Sequence, residues 1–305
     1  MTDIHCRPPR ELLVRPGQID CHAADLTATI AADVSLASAQ TALKKFDQWI
    51  PIDGDPRFPI GRLVDENSTG PLRLGYGAWR DLLLGCQFKS QAGQLITAGG
   101  RTMKNVAGYD LVKLMIGQRG TFGSLVNITV RTYKRPPAAL LAEFDPSDRW
   151  LGEILPTPLR PRYAILRNDS LLCGWLDDAK AIALFQRLAS DHHPRKTIVR
   201  TLDEDIAHRG NLWVPTGPHF RASVPPASIL RFAADAALRD WIADAAFGII
   251  IGRFSEIDIP IIESAAESCG GSATFFAPNQ PPKWPRNAVE EATLSAIRNA
   301  FESAG

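Results

Sequence analysis

The chain lacks the features that mark several large classes of protein. Its five cysteines are dispersed through 305 residues and include no C-x-x-C pair, which predicts free thiols and argues against a zinc or iron–sulfur site. Basic residues are nearly balanced by acidic ones, 34 against 33, so a nucleic-acid-binding surface is not expected. The longest strongly apolar run, residues 245–251, is too short to span a bilayer.

The N-terminal segment lacks both glycine and the apolar run of a signal peptide. Residues 1–16 contain no glycine and no apolar core of a signal peptide, so we expect a cytoplasmic protein, with attachment to the inner membrane only through partner chains. The composition, 45% hydrophobic and 22% charged, is typical of a globular protein. The length predicts two subdomains, each with its own core.

The most informative stretch is residues 99–123, where glycines recur at positions 99, 100, 108, 117, 120 and 123. Glycine permits a positive φ and lets a ligand approach the backbone closely. Between them we predict a short helix over residues 111–116, capped by Asp110 and closed by Gly117. A pair of ordinary tight turns is the alternative interpretation of this stretch.

Hydrophobic periodicity predicts the elements of the first half. Residues 26–31 and 94–97 read as strands. Ser35 is the predicted N-cap of a helix whose apolar face comprises Leu36, Ala39, Leu43 and Phe46. A half-buried strand is predicted where Val126, Ile128 and Val130 alternate with polar residues. Arg135-Pro136-Pro137 marks a plausible domain boundary.

The second half is predicted to interleave strands and helices. A hairpin is expected over residues 163–176, with its turn at Asn168-Asp169. A helix follows over residues 177–190, with an inward face of Ala181, Leu184, Phe185 and Leu188. Further strands are expected over residues 220–224 and 246–252, and helices over residues 257–268 and 288–301. This alternation favours a ferredoxin-like α+β fold.

The glycine block resembles a known family. Gly99-Gly100, residues 103–111, Leu114, Gly117, Gly120-Thr121 and Gly123 fill, without a gap, a pattern of the PCMH-type (vanillyl-alcohol-oxidase) FAD-binding superfamily, in particular of glycolate oxidase E subunits. A second segment is similar to the family at Gly61, Asn67, Gly70-Pro71, Arg73, Tyr76-Gly77, Arg80-Asp81 and Gly85. Without the resemblance, this second segment reads equally well as a surface loop.

The resemblance implies FAD as cofactor and an α+β architecture of two domains. Residues 1–136 would be the FAD-binding domain, lacking its N-terminal unit, and residues 137–305 a smaller ferredoxin-like α+β cap domain. The implied FAD contacts are Gly61, Asn67, Gly70, Gly100, Lys104, Asn105, Gly108, Tyr109, Gly117, Gly120, Thr121 and Gly123. No catalytic residue is assigned, and no metal is expected.

The chain departs from the family pattern in ways that bear on function. The usual glycine-rich diphosphate loop is missing before Gly17, so we expect weak FAD binding by the isolated chain. The usual closing segment at the C-terminus is missing as well. Arg62, Asp65 and Glu66 replace a glycine and small residues, and two carboxylates beside a diphosphate are unfavourable. Ser272 stands where relatives often have histidine, the usual proton acceptor.

Two hypotheses follow from the resemblance. In the first, the chain is an FAD-dependent subunit that oxidises a small 2-hydroxy acid such as glycolate, in a hetero-oligomer with a D-like flavoprotein and an iron–sulfur subunit. In the second, the chain keeps the fold but is a degenerate, non-catalytic structural or assembly subunit of such a complex. The glycine block favours the first hypothesis, and the departures favour the second.

Overall fold

The computed structural model describes residues 15–101, 111–146, 150–215 and 217–276, together with residues 292, 295, 296 and 299 of the C-terminal segment. The chain divides into two compact units, one of residues 1–69, 77–135 and 287–305, the other of residues 70–76 and 136–286. The assignment of cofactor and substrate roles to residues 1–136 and 137–305 stays a prediction. No helix in the described ranges is long and apolar enough to cross a lipid bilayer.

The first unit is built on an antiparallel sheet of five strands. In sheet order these are β1 (Ile19–His22), β2 (Thr27–Ala31), β6 (Gly123–Arg131), β4 (Leu83–Ser90) and β5 (Leu95–Gly99), while β3 (Gln48–Trp49) pairs only with β7 (Tyr133–Lys134). Its helices are α1 (Leu36–Lys44), α2 (Ile60–Asp65), α4 (Trp79–Leu82) and α5 (Leu111–Leu114). The predicted strands over residues 26–31 and 94–97 are confirmed to within two residues at each end.

Helix α1 confirms its predicted cap and corrects its predicted face. The Ser35 hydroxyl accepts a hydrogen bond from the Ser38 backbone N–H at 3.2 Å, which satisfies one of the free donors of the first turn. Leu36, Ala39 and Leu43 are buried. Phe46 is half exposed, so its assignment to the buried face was wrong, because the helix ends at Lys44 before that position is reached.

The predicted half-buried character of β6 is also wrong. Val126 is exposed, whereas Asn127 and Thr129 are fully buried. The cause is the central position of β6 between β2 and β4, where polar side chains bond across the strands: Thr29 and Thr129 hydroxyls lie 3.0 Å apart, and the Asn127 amide donates to Gln87 at 2.7 Å. Buried polar groups are tolerated when they are paired in this way.

The second unit contains an antiparallel sheet of eight strands. They are β8 (Ala138–Phe144), β9 (Tyr163–Arg167), β10 (Leu171–Asp177), β11 (Lys196–Arg200), β12 (His219–Ser223), β13 (Trp241–Asp244), β14 (Ile249–Gly252) and β15 (Ser272–Phe276). The sheet order is β11-β8-β10-β9-β13-β14-β12-β15. The helices are α3 (Arg73–Tyr76), α6 (Trp150–Ile154), α7 (Ala179–Ser190), α8 (Leu202–Trp213), α9 (Ile229–Asp235) and α10 (Ile259–Ser268).

The element order contains the same β-α-β-β-α-β unit twice. The first copy of this motif is β8-α6-β9-β10-α7-β11 and the second copy is β12-α9-β13-β14-α10-β15. Each has the ferredoxin-like strand order 4-1-3-2, and the two join edge to edge through β9 and β13, where Ala243 lies opposite Leu166. The predicted ferredoxin-like α+β fold is therefore present in two copies within one sheet.

Two local predictions in this unit need correction. Of the predicted inward residues of α7, Phe185 is buried and Ala181 and Leu188 pack, partly buried, against the core. Leu184 is half exposed, and Ile182 and Ala189 complete the buried face instead. Both candidate faces satisfy helical spacing, so only packing against the sheet selects one. Strand β13 was missed because its four residues are all buried and show no alternation. The predicted helix over residues 288–301 lies mostly outside the described residues.

Candidate functional site

Two segments of the predicted cofactor site meet in the first unit. The Gly117 N–H donates to the Val64 carbonyl at 3.0 Å, and the Arg119 N–H donates to the Asp65 carbonyl at 3.2 Å. These bonds hold the end of α2 against the turn that follows α5. The structure thereby brings Asp65 and Asn67 together with Gly117 and Gly120, although Asp65 and Gly120 are 55 residues apart in the sequence.

The Asp65 carboxylate is the centre of this contact. Its Oδ1 accepts hydrogen bonds from the Gly120 N–H at 3.2 Å and from the Gln118 side-chain amide. Burial raises the pKa of the Asp65 carboxyl above its ordinary value, and the bonds from Gly120 and Gln118 oppose that rise. The carboxylate thus occupies the N–H donor of Gly120, one of the implied FAD contacts.

Gln118 closes the same turn from within. Its Oε1 accepts from the Phe122 N–H at 2.7 Å, and its Nε2 donates to the Gly123 carbonyl at 2.9 Å. The Gln118 carbonyl accepts from the Thr121 N–H at 3.0 Å. The backbone N–H groups of residues 117, 119, 120, 121 and 122 all have partners inside the protein, so this turn is preformed and its donors are in use.

The predicted glycine positions in the described residues of the first unit fall into three groups. Gly61 and Gly123 are required by packing, because a Cβ on Gly61 would lie 2.6 Å from the Ala32 Cβ and one on Gly123 would overlap the Lys89 carbonyl oxygen. Gly117, with a φ of +74°, provides the left-handed residue that follows α5. Among the residues that the structure describes, a Cβ on Gly100 or Gly120 would meet nothing within 4 Å, so these two leave open space beside the backbone.

The other predicted positions are distributed more widely. Asn67 is exposed, has a φ of +49°, and lies beside Gly117, whose added Cβ would be 3.2 Å from the Asn67 Cβ. Thr121 is buried. Gly70 is buried in the segment of residues 70–76, which belongs to the second unit. Four positions lie outside the described residues: Lys104, Asn105, Gly108 and Tyr109.

These residues fit FAD in part. The open space at Gly100 and Gly120 suits a flat ring or a sugar chain laid against the backbone. The turn of residues 117–122 does not suit a phosphate as it stands, because Asp65 already accepts from Gly120. The Arg62 side chain already has partners within the protein. Its guanidinium bonds Glu66 at 2.7 Å and lies 3.8 Å from the centre of the Phe58 ring.

In the second unit, polar side chains line the face of β12 that points away from the core. Phe220 and Ala222 are buried in the core, so His219, Arg221 and Ser223 lie on the opposite face. Burial and the neighbouring Arg73 guanidinium lower the pKa of Arg221, whereas the Asp244 carboxylate raises it. Two arginines and one carboxylate thus meet on this face, and the Arg73 guanidinium lies 4.1 Å from the centre of the Phe247 ring.

His219 has a defined orientation on the same face. Its ring stacks on Phe276 with centroids 4.8 Å apart and planes 5° from parallel. Its Nδ1 lies 3.0 Å from the Gly217 carbonyl oxygen, which requires Nδ1 to carry the proton and leaves Nε2 as the acceptor. Burial lowers the pKa of His219, so the ring is neutral at pH 7. Ser272, the residue at the family's histidine position, is exposed and lies opposite Ser223.

Sequence reasoning missed the roles of Gln118 and Arg221. Gln118 stands among glycines and carried no signal of its own. Arg221 could have been found, because His219, Arg221 and Ser223 alternate with apolar residues and so place three polar side chains on one face of a predicted strand.

Known proteins resemble this chain both in sequence and in fold. No protein-family model matches the chain. It is 34% identical over 128 residues to glycolate oxidase subunit GlcE of Escherichia coli, which covers 41% of this chain and 36% of that protein. It is 29% identical over 205 residues to glycolate oxidase subunit GlcD of Bacillus subtilis, which covers 61% of this chain and 43% of that protein.

A solved structure extends the likeness to nearly the whole chain. Alkyldihydroxyacetonephosphate synthase superposes with a TM-score of 0.63 at 11% identity, over 92% of this chain and 62% of that one. At this identity the likeness concerns the fold alone. The chain spans less than half of each of the two glycolate oxidase subunits that it matches.

Proposed function

We propose that this chain belongs to the PCMH-type (vanillyl-alcohol-oxidase) FAD-binding superfamily and is a flavin-dependent oxidoreductase subunit that acts on a small 2-hydroxy acid such as glycolate. The observation that carries the proposal is the match of its sequence to two glycolate oxidase subunits. The open backbone at Gly100 and Gly120 supports it, since a cofactor can approach there.

FAD, when bound, supplies a two-electron acceptor for the alcohol carbon of the substrate. Gly100, Gly120 and Asn67 would lie against the cofactor. Further contacts are proposed at Lys104, Asn105, Gly108 and Tyr109, which lie outside the described residues. The protein's part is to position the cofactor and to exclude competing reactions.

Arg221 and Arg73 are the proposed binding groups for the substrate carboxylate. Guanidinium groups match carboxylates in both geometry and charge. The positive charges of Arg73 and Arg221 outnumber the one negative charge, that of Asp244, which acts on Arg221. His219 is the proposed acceptor of the hydroxyl proton, at Nε2, because its Nδ1 is directed to Gly217 and its ring is held by Phe276. A neutral imidazole suits that role.

Replacing Arg221 with glutamine tests the carboxylate assignment. We expect the KM for glycolate to rise about tenfold or more, because one charge-assisted hydrogen bond is typically worth ~1.5–3 kcal/mol. The measurement is steady-state kinetics of the assembled enzyme. Arg231→Gln is the control, since Arg231 is an exposed arginine of α9 that pairs with Asp235. An unchanged KM in Arg221→Gln rules out this role.

Partners and location are part of the proposal. The relatives GlcE and GlcD are named as subunits, so we propose that this chain works in a hetero-oligomer with a D-like flavoprotein and an iron–sulfur subunit. A cytoplasmic location, with contact to the inner membrane only through partners, is proposed with it. Co-purification from a native source tests the assembly, and a monomer without any associated chain contradicts it.

The second candidate function is a non-catalytic structural subunit of such a complex. The hydrogen bond from Gly120 to Asp65 favours it, because an internal carboxylate takes up a donor in the predicted cofactor site. The visible absorption spectrum of the protein, purified alone and after co-expression with its partner chains, separates the two. Flavin associated with this chain supports the enzyme, and its absence in both preparations supports the structural subunit.

Replacing Gly100 with leucine tests the cofactor position. A Cβ there meets none of the described residues within 4 Å, and Gly100 does not have a left-handed φ, so we expect unchanged thermal stability and loss of flavin from the co-expressed protein. Gly152→Leu is the matched control, because Gly152 also has open space and lies in the second unit. Equal flavin content in wild type, Gly100→Leu and Gly152→Leu means that no cofactor lies against Gly100.

A further inference from the structure

We infer that Asp65 is a built-in anion that occupies a phosphate-accepting position of the turn of residues 117–122 and thereby sets a low affinity for the dinucleotide cofactor. The inference rests on the proposed function, because it concerns the ligand of that same site. The Asp65 carboxylate would compete with the cofactor's phosphate for the Gly120 N–H.

The backbone of the turn has the form of an anion site. Gln118 has no positive φ, whereas Arg119 after it is left-handed, with a φ of +52°. Such a change of backbone hand between neighbouring residues directs successive N–H groups toward one side, which creates a concavity suited to an anion. The anion found at the Gly120 N–H is the carboxylate of Asp65, at 3.2 Å.

The carboxylate is well secured in this position. Its backbone is held to the turn by the bond between the Arg119 N–H and the Asp65 carbonyl. Its side chain bonds both Gly120 and Gln118. Gln118 is itself fixed by Phe122 and Gly123, so the donors that face Asp65 stay in place when the carboxylate is removed.

Removal of the carboxylate leaves two donors with a common acceptor position. These are the Gly120 N–H and the Gln118 Nε2 amide, and the charge of Arg119 acts on the same site, since it lowers the pKa of Asp65. A phosphate oxygen can accept from both donors. With Asp65 present, a phosphate meets a half-buried like charge and finds the Gly120 donor in use, which is unfavourable on both counts.

The experiment compares three variants with the wild type by isothermal titration, using FAD and inorganic pyrophosphate as separate probes. Asp65→Ala removes both the charge and the acceptor, and we expect its Kd for FAD to fall at least about tenfold, the effect of ~1.4 kcal/mol. Asp65→Asn removes the charge alone, and we expect a smaller fall. Glu66→Gln removes a neighbouring carboxylate that bonds Arg62 rather than the turn, and we expect no change.

The outcomes separate this inference from the proposed function. Tighter pyrophosphate binding by Asp65→Ala, with no FAD binding by any form, upholds the inference and argues against the cofactor assignment. FAD and pyrophosphate affinities that are equal in all four proteins overturn it. An equal gain in Glu66→Gln also overturns it, because the effect is then general electrostatics. Should Asp65→Ala fail to fold, as monitored by circular dichroism, the isosteric Asp65→Asn decides by the same criteria.

Discussion

Replacing Asp205 with alanine is expected to lower the free energy of unfolding by about 3–5 kcal/mol. Asp205 lies in α8 with its carboxylate fully buried, where it accepts from the Tyr163 hydroxyl at 2.5 Å and pairs with Arg209 at 2.9 Å. Both charged side chains are at most 2% exposed. Its removal leaves the Arg209 guanidinium buried without that counter-charge, which is the costly half of breaking a buried pair.

The matched control for Asp205 is an exposed pair of the same spacing. Arg231 and Asp235 of α9 are also an i,i+4 pair, but their side chains are 62% and 45% exposed, so Asp235→Ala is expected to cost at most about 0.5 kcal/mol. Chemical denaturation followed by circular dichroism gives both values. Similar losses in the two variants contradict the prediction.

Removing the Tyr163 hydroxyl takes one hydrogen bond from the same buried cluster and leaves the ion pair in place. Burial, followed by the charge of Asp205, raises the pKa of Tyr163 well above its ordinary value, so the hydroxyl stays protonated and donates. Tyr163→Phe keeps the ring and removes one hydrogen bond, and we expect a loss of about 1–3 kcal/mol. A loss as large as that of Asp205→Ala means that the hydroxyl, rather than the ion pair, dominates this cluster.

Replacing Gly123 with alanine is expected to destabilise the first unit by about 2–6 kcal/mol. A Cβ there overlaps the Lys89 carbonyl oxygen, and the φ of +142° belongs to a region that is essentially restricted to glycine. The strain of such a conformation, about 1–3 kcal/mol, adds to an overpacking cost of about 1–3 kcal/mol. Thermal or chemical unfolding of the purified variant measures it.

Gly120 provides the control three residues earlier in the same motif. Its φ of +75° is also left-handed, but a Cβ meets nothing within 4 Å, so Gly120→Ala is expected to cost only about 1–2 kcal/mol. Its larger effect is expected on flavin retention. Equal destabilisation by the two substitutions means that backbone conformation alone, and not the approach to Lys89, explains why Gly123 is glycine.

Local sequence signals predicted the elements whose causes are themselves local. Ser35 before a periodic apolar run predicted the start of α1, and the structure shows its hydroxyl capping the helix. Asn168-Asp169 between two apolar runs predicted the β9–β10 hairpin, which pairs Leu171 with Leu166. Turn residues and caps act over a few positions, so their chemistry is readable without knowing what packs against them.

The faces that become buried depended on neighbours remote in the chain. Helix α7 has two apolar sets with helical spacing, and contact with the sheet buries Ile182, Phe185 and Ala189. Strand β6 alternates like a half-buried strand, yet its central place buries Asn127 and Thr129 as well. Burial is a property of the assembled sheet, and periodicity indicates only that a face exists.

The glycine motif shows the same division at the candidate site. The sequence by itself determined where the backbone is free to be left-handed, and Gly99, Gly117 and Gly120 are left-handed in the structure. Only the tertiary structure decided that Gly123 serves packing against Lys89, and that Asp65 of α2 takes the Gly120 donor. The reason is physical: conformational freedom belongs to the residue, whereas the partner of a hydrogen bond depends on which segment the fold brings within hydrogen-bonding distance.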